Sequence, residues 1–154
     1  MSMQVVRIAE PNPQLEMDIR SMIAAEGIEA PSCDEAELFA LFDRDGRIEA
    51  VAFACFLEDA CFLHAVVVRV ESRKKGLGYA LVSHMVNQSF VRGVRLYLVA
   101  VKARGFFERY GFEEVPREAL PESIAGEAWF GAYAGSAAPV MMITPSEGER
   151  LFRE

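Results

Sequence analysis

The sequence predicts a mixed α/β domain, built on a central mixed β-sheet of six to seven strands with helices on both faces. Three observations predict it. "CFLHAVVVRV" (61–70) is apolar on nearly every residue, as a strand buried on both faces of a sheet interior must be. A helix-like pattern follows, and "RLYLVAV" (95–101) supplies a second buried strand, so strand, helix and strand alternate. Within "LFALFDRDGRIEAVAFACFL" (38–57), Asp45-Gly46 separates two apolar runs and tolerates the positive φ that a tight hairpin demands.

The remaining elements follow in order. Residues 3–9 read as a first strand. Asn12 then Pro13 offers an N-cap and a first-turn proline, and Leu15, Ile19, Met22 and Ile23 form one apolar stripe of a helix stopped by Gly27. The second hairpin strand, 47–57, meets a turn at Glu58-Asp59 before the strand 61–70. Leu81, Met85 and Phe90 mark a helix ending near Gly93. "ARGFFERYGF" (103–112) reads as a short helix stopped by Gly111, leading into a strand at 112–115. Residues 116–138, with three glycines and two prolines, predict a mobile, partly helical excursion near the substrate side, and "PVMMIT" (139–144) a last strand.

At 154 residues the chain fits one domain, 1–154, large enough to bury a core without disulfides or metals. The formal charge of −7 works against a broad phosphate-backbone footprint, so nucleic acid is not the expected partner. Cys33, Cys55 and Cys61 are odd in number without CxxC spacing, which predicts buried thiols and a reducing, cytoplasmic setting. Two histidines far apart give metal chemistry no support. The start lacks an apolar leader core, and no run approaches the ~20 apolar residues needed to span a bilayer. The apolar segment "WFGAYAGSAAPVMMI" (129–143) suggests a homodimer, unless the same residues fill the monomer core.

Against this acidic background, "ESRKKGLGYA" (71–80) gathers Arg73, Lys74 and Lys75 just before Gly76, Leu77, Gly78 and Tyr79. Unpaired amides at a helix start, approached closely where glycine removes the side chain and flanked by cations, suit an anion such as a phosphate. A P-loop needs GxxxxGK[ST] and a dinucleotide fingerprint needs GxGxxG; both fail here.

What remains, Arg73-x-x-Gly76-x-Gly78 between a buried strand and a helix, resembles the [QR]xxGxG segment of the GNAT acetyltransferases. "ARGFFERYGF" is similar to that family's AxxFFxxxGF segment. The two matches and the elements between them cover about residues 48–115. The resemblance implies the GNAT fold and acetyl-CoA as cosubstrate. Residues Arg73 to Tyr79 would hold its diphosphate, Phe106 and Phe107 would lie beside the pantetheine arm, and backbone groups of Val66, Val67 and Val68 would meet the pantetheine and thioester. Within the family the chain resembles small amino-acid N-acetyltransferases of the arsinothricin and phosphinothricin type, and N-acetylglutamate synthase acetyltransferase domains. "LPESIAGEAWF" (120–130) matches them through Pro121, Ile124 and Phe130. Where they carry Arg-Ser, this chain has His64-Ala65, and Ala100-Val101-Lys102 replaces a Thr-rich stretch. The arginine that could grip a substrate carboxylate is missing there, which leaves Arg104, Lys102 or a backbone nest.

Amine attack on a thioester needs a neutral nitrogen, hence a base or water relay. His64 is the catalytic candidate, with turnover expected to rise through a pKa of ~6 to 7; the alternative is a hydrogen-bonded core histidine. Glu58 and Asp59 could serve instead, or simply form a polar turn. Phe107 occupies the position where many relatives carry a tyrosine acid. Tyr97, Tyr110 and His84 read as packing, Cys55 and Cys61 as buried thiols rather than nucleophiles, and Trp129 with Phe130 as pocket cover or core. The expected activity is N-acetylation of a small amine, an amino acid or amino-acid-like compound. The alternatives are a polyamine or protein-amine acetyltransferase and a catalytically silent acyl-CoA-binding sensor.

Overall fold

The computed structural model describes residues 4–27, 36–133 and 137–144; Cys33 and residue 3 of the expected first strand lie outside them. Seven strands form one sheet in the order β1-β2-β3-β4-β5-β7-β6. They are β1 (Val6–Ile8), β2 (Ala36–Phe42), β3 (Ile48–Phe56), β4 (Ala60–Val68), β5 (Arg95–Val99), β6 (Glu113–Val115) and β7 (Val140–Ile143). All neighbours pair antiparallel except β4 and β5, which α2 (Leu77–Arg92) joins as a parallel crossover. The expected strand 61–70 starts at Ala60 and stops at Val68, where residues 70–72 turn as a short 3-10 helix.

Local chemistry sets the boundaries. Asn12 Oδ1 accepts from the Leu15 amide at 2.8 Å and Pro13 opens α1 (Pro13–Ala25), while Gly27 takes φ +70° just beyond its end. The β2–β3 turn rests on Gly46 at φ +82° and also on Asp43, whose carboxylate accepts from the amides of Asp45 and Arg47, both at 2.9 Å.

The sheet is covered on both faces. On one, Leu81, Val82, Met85 and Val86 of α2 pack on Ala52, Ala54, Leu63 and Leu98, with α3 (Arg104–Tyr110) adding Phe107. Leu81 is fully buried, and truncating such a residue to alanine costs about 2–5 kcal/mol. On the other face, Ile19, Met22 and Ile23 of α1 cover Ala40, Val51 and Val67. Beside them Leu120, Ile124 and Phe130 cover Phe62, Tyr97 and Val140. That second patch comes from the expected excursion, which folds as two 3-10 turns (117–119 and 128–133) around α4 (Glu122–Ala125). Of the apolar segment 129–143, Phe130, Val140, Met141 and Ile143 are buried within one chain.

Candidate active site

The site follows from one break in the sheet. β4 pairs with β5 from Ala60↔Arg95 to Leu63↔Leu98 and no further, so residues 64–68 have no strand partner on that side. β3 stays paired along them, through Phe53↔Ala65, Ala52↔Val66, Val51↔Val67 and Ala50↔Val68. Backbone groups on the opened edge of β4 have no ladder partner there and can meet a ligand's polar groups. Val66 and Val68 are half-buried against the α2 side, whereas Val67 turns to α1 and is buried. The bond from the Arg69 amide to Glu49 O sets an alternation in which the N–H and C=O of Val67 face Val51 of β3, so the backbone groups on the open edge are those of Val66 and Val68, and the expected contact through Val67 is corrected.

His64 sits at the opening as the extra residue of a β-bulge. Phe53 pairs with Ala65 and Ala54 with Leu63, which leaves His64 without a partner on β3. Such a bulge re-aims a side chain. The ring lies 5.0 Å from that of Phe62 and 4.6 Å from that of Trp129, and its Nε2 is 3.1 Å from Cys55 Sγ. Burial lowers the His64 pKa from 6.5 to about 4, so the imidazole is neutral at physiological pH. The titration near pH 6–7 expected of an unperturbed histidine is thereby corrected for His64: desolvation moves it down to about 4.

At the far end of the opened strand lies the glycine loop. Gly76 takes φ +79° as the residue that caps α2, and no side chain caps this terminus. The first helical bond of the terminus runs from the Ala80 amide to Gly76 O, so the amides of Leu77, Gly78 and Tyr79 precede it. A Cβ on Gly78 would stand 3.8 Å from Val68 Cγ2 and 3.9 Å from Phe106 Cζ, which places Gly78 between the end of β4 and α3. Phe106 is half-buried beside it and Phe107 is buried behind, while Leu77 is buried under α2 and Tyr79 is exposed. Thus Gly78, Arg73 and Phe106 gather around Val68 at the open end of β4.

The three cations do not act alike. Arg73 donates to Val68 O at 3.3 Å and pairs with Glu26 at 2.7 Å, and Lys75 stands 3.8 Å from Glu49. Lys74, at φ +67°, is exposed. Lys102 Nζ donates to Glu26 O at 2.6 Å, and Arg104 pairs with Glu114 at 2.6 Å and Glu108 at 3.4 Å. Glu26 therefore links the loop after β4 to the loop after β5. Neither that bridge nor the Cys55–His64 contact has a local sequence signal, because each joins residues far apart in the chain or across a bulge.

Other candidates fall elsewhere. Glu58 and Asp59 lie in the turn before the paired end of β4, and four strand residues, Ala60 to Leu63, separate Asp59 from His64. There they line a pocket of about 890 Å³ with Ser123 and Glu127, and Asp59 accepts from the Ser123 hydroxyl. Tyr110 is buried with its hydroxyl 2.9 Å from Ser83 Oγ, and burial raises its pKa to about 12, so it is a poor acid. His84 packs on Phe39 at 5.3 Å, Tyr97 is core, and Cys55 and Cys61 are buried thiols. Among the described residues no group of acidic, histidine and cysteine side chains is placed to hold a metal, and no helix is long and apolar enough to cross a membrane.

Residues 34–114, just over half of the chain, match the family model described as an acetyltransferase (GNAT) domain. The chain belongs to the GNAT acetyltransferase family. Solved GNAT-like structures share its fold at low identity. N-acetylglutamate synthase from Neisseria gonorrhoeae, solved with coenzyme A and N-acetyl-glutamate, is similar at TM-score 0.73 and 15% identity over 94% of this chain and 36% of the synthase. This chain thus spans about a third of the synthase's length. The ribosomal-protein-S18-alanine N-acetyltransferase of Escherichia coli is similar at TM-score 0.62 and 18% identity over 93% and 94% of the two chains. A chain of the KacTA–DNA complex is similar at TM-score 0.65 and 14% identity over 99% of both.

Proposed function

We propose that this GNAT protein transfers an acetyl group from acetyl-CoA to the primary amine of a small molecule by direct attack of the amine on the thioester. The observation that carries the reading is the juxtaposition of the β4–β5 opening with the uncapped, glycine-led start of α2. In this reading Arg73 to Tyr79 hold the diphosphate, the amides of Leu77, Gly78 and Tyr79 supplying donors and the cations supplying charge. The pantetheine passes Phe106 to the open edge of β4, where the amide of Val66 or Val68 meets the thioester oxygen. One such donor to a developing oxyanion is worth about 3–4 kcal/mol.

The chemistry then takes two protons from the nitrogen, one from the ammonium before attack and a second, released to solvent, as the amide forms. The amine nitrogen forms a bond to the carbonyl carbon, the carbon–sulfur bond breaks, and CoA leaves as a thiolate that solvent protonates. Deprotonating a lysine-like amine at neutral pH costs on the order of 4–5 kcal/mol. His64, neutral and set at the opening, is the group assigned to accept that proton.

Two acceptor classes compete. An amino acid or amino-acid-like compound is the first, by the segment similarity around Pro121, Ile124 and Phe130. The engagement of Lys102 by Glu26 and of Arg104 by Glu114 favours a second, an amine without a carboxylate, such as a polyamine. The charge of −7 suits a cationic acceptor better than a nucleic acid. Rates of acetylation of an α-amino acid and of its decarboxylated amine decide between them. Product from either supports the transferase reading; an at least tenfold preference for the amine, about 1.4 kcal/mol in the transition state, overturns the amino-acid version.

A further inference from the structure

We infer that Cys55 is a positioning residue for the reaction: it takes the Nε2–H of neutral His64 and so leaves the lone pair on Nδ1, the open nitrogen of the ring. The inference rests on the assignment of His64 as proton acceptor. Its own ground is geometric. Cys55, on β3, is fully buried, and its sulfur stands 3.1 Å from Nε2. In a neutral imidazole one nitrogen donates and the other accepts, and the partner of one fixes the role of the other.

Nδ1 is the nitrogen left to act. It takes part in no hydrogen bond among the described residues, and no buried side-chain nitrogen or oxygen among them lacks a partner, so Nδ1 lies at accessible surface. The rings of Phe62 and Trp129, at 5.0 and 4.6 Å, restrict rotation that would exchange the two nitrogens. Cys55 therefore acts on His64 as an orienting group and needs no acyl-enzyme step, which its burial would also obstruct. The bulge is what lets the two meet: it turns His64 out of register with Ala54 so that its ring reaches back over Cys55.

The test reads the tautomer directly. Two-bond proton–nitrogen correlation spectra of the ¹⁵N-labelled protein at pH 7 carry signals from only two histidines, and His64→Ala identifies those of His64. The wild type is expected to show Nε2 protonated and Nδ1 bare; a proton on Nδ1 overturns the inference. Cys55→Ala should average the two nitrogen shifts and lower kcat about tenfold with the amine KM unchanged, and Cys55→Ser should restore both. Unchanged spectra and unchanged kcat in Cys55→Ala overturn it. If His64→Ala turns over at the wild-type rate, the proton-acceptor reading falls, and any catalytic role for Cys55 falls with it. If His64→Ala is slow but Cys55→Ala is not, only the positioning role is lost.

Discussion

Arg73 reaches back from the glycine loop to place Nη2 2.7 Å from the carboxylate of Glu26, at the end of α1. The cation assigned to the CoA diphosphate is thus already neutralised by a carboxylate, which a diphosphate must displace or share. Replacing Glu26 by Gln removes that competitor while keeping its shape. Exposed pairs of this kind are worth about 0.2–1 kcal/mol, so Glu26→Gln should tighten CoA binding about two- to fivefold in calorimetry at low ionic strength. Unchanged or weaker binding would show that Arg73 takes no part in holding the diphosphate.

Gly78 offers a sharper test of the same loop. Its backbone is not in the left-handed region, and an added Cβ meets Val68 and Phe106 at ordinary contact distances, so the fold should accept a side chain here. Gly78→Asp places a carboxylate where the diphosphate would lie. CoA affinity should fall by more than about tenfold, roughly 1.4 kcal/mol, with an unchanged circular dichroism spectrum. A variant that binds CoA as well as the wild type would remove this loop from the binding site.

The burial of His64 also sets a pH dependence of stability. Above pH 6.5 the ring is neutral in folded and unfolded chains alike. As pH falls from 6.5 toward 4, the unfolded chain takes up a proton that the folded chain refuses. Stability is therefore full above pH 6.5 and declines by about 3 kcal/mol on the way down to pH 4, with no further loss from this group below. Urea midpoints of wild type and His64→Gln, compared between pH 7 and pH 4, should converge as the wild type loses this increment. Parallel curves would mean that His64 is not desolvated.

Tyr110 belongs to the core rather than to the chemistry. Tyr110→Phe deletes a hydroxyl whose partner is Ser83, and should cost about 1 kcal/mol of stability while leaving kcat as it was. A large fall in kcat with intact stability would make Tyr110 a participant after all.

What the sequence allowed to be read divides along physical lines. Apolar runs identified β4 and β5, glycines at positive φ marked the start and end of α2, and Asn12-Pro13 marked the start of α1, because each signal lies within the element it describes. The loop proposed to hold the cofactor was legible as a motif for the same reason, being a contiguous run of cations and glycines. The bulge at His64 was not, since register depends on two strands at once and nothing in "FLHAV" fixes the β3 partner. The grip of Glu26 on Arg73 and Lys102 joins three distant segments. The shift in His64 arises from rings and backbone that only the folded chain assembles, so the unperturbed value misplaced its titration. Residues 116–138 read as irregular because glycines and prolines dominate them, yet Leu120, Ile124 and Phe130 anchor short helical turns onto the sheet.

The most direct test of acetyl transfer at the β4–β5 opening is free-thiol release from acetyl-CoA, with pooled amino acids, polyamines and peptides as acceptors and mass spectrometry of the products. The account predicts thiol release that depends on an added amine, a matching acetylated product, and loss of both in Gly78→Asp. Tight CoA binding without amine-dependent thiol release from any pool would contradict it, and would make the protein a GNAT fold that binds acyl-CoA without catalysing transfer.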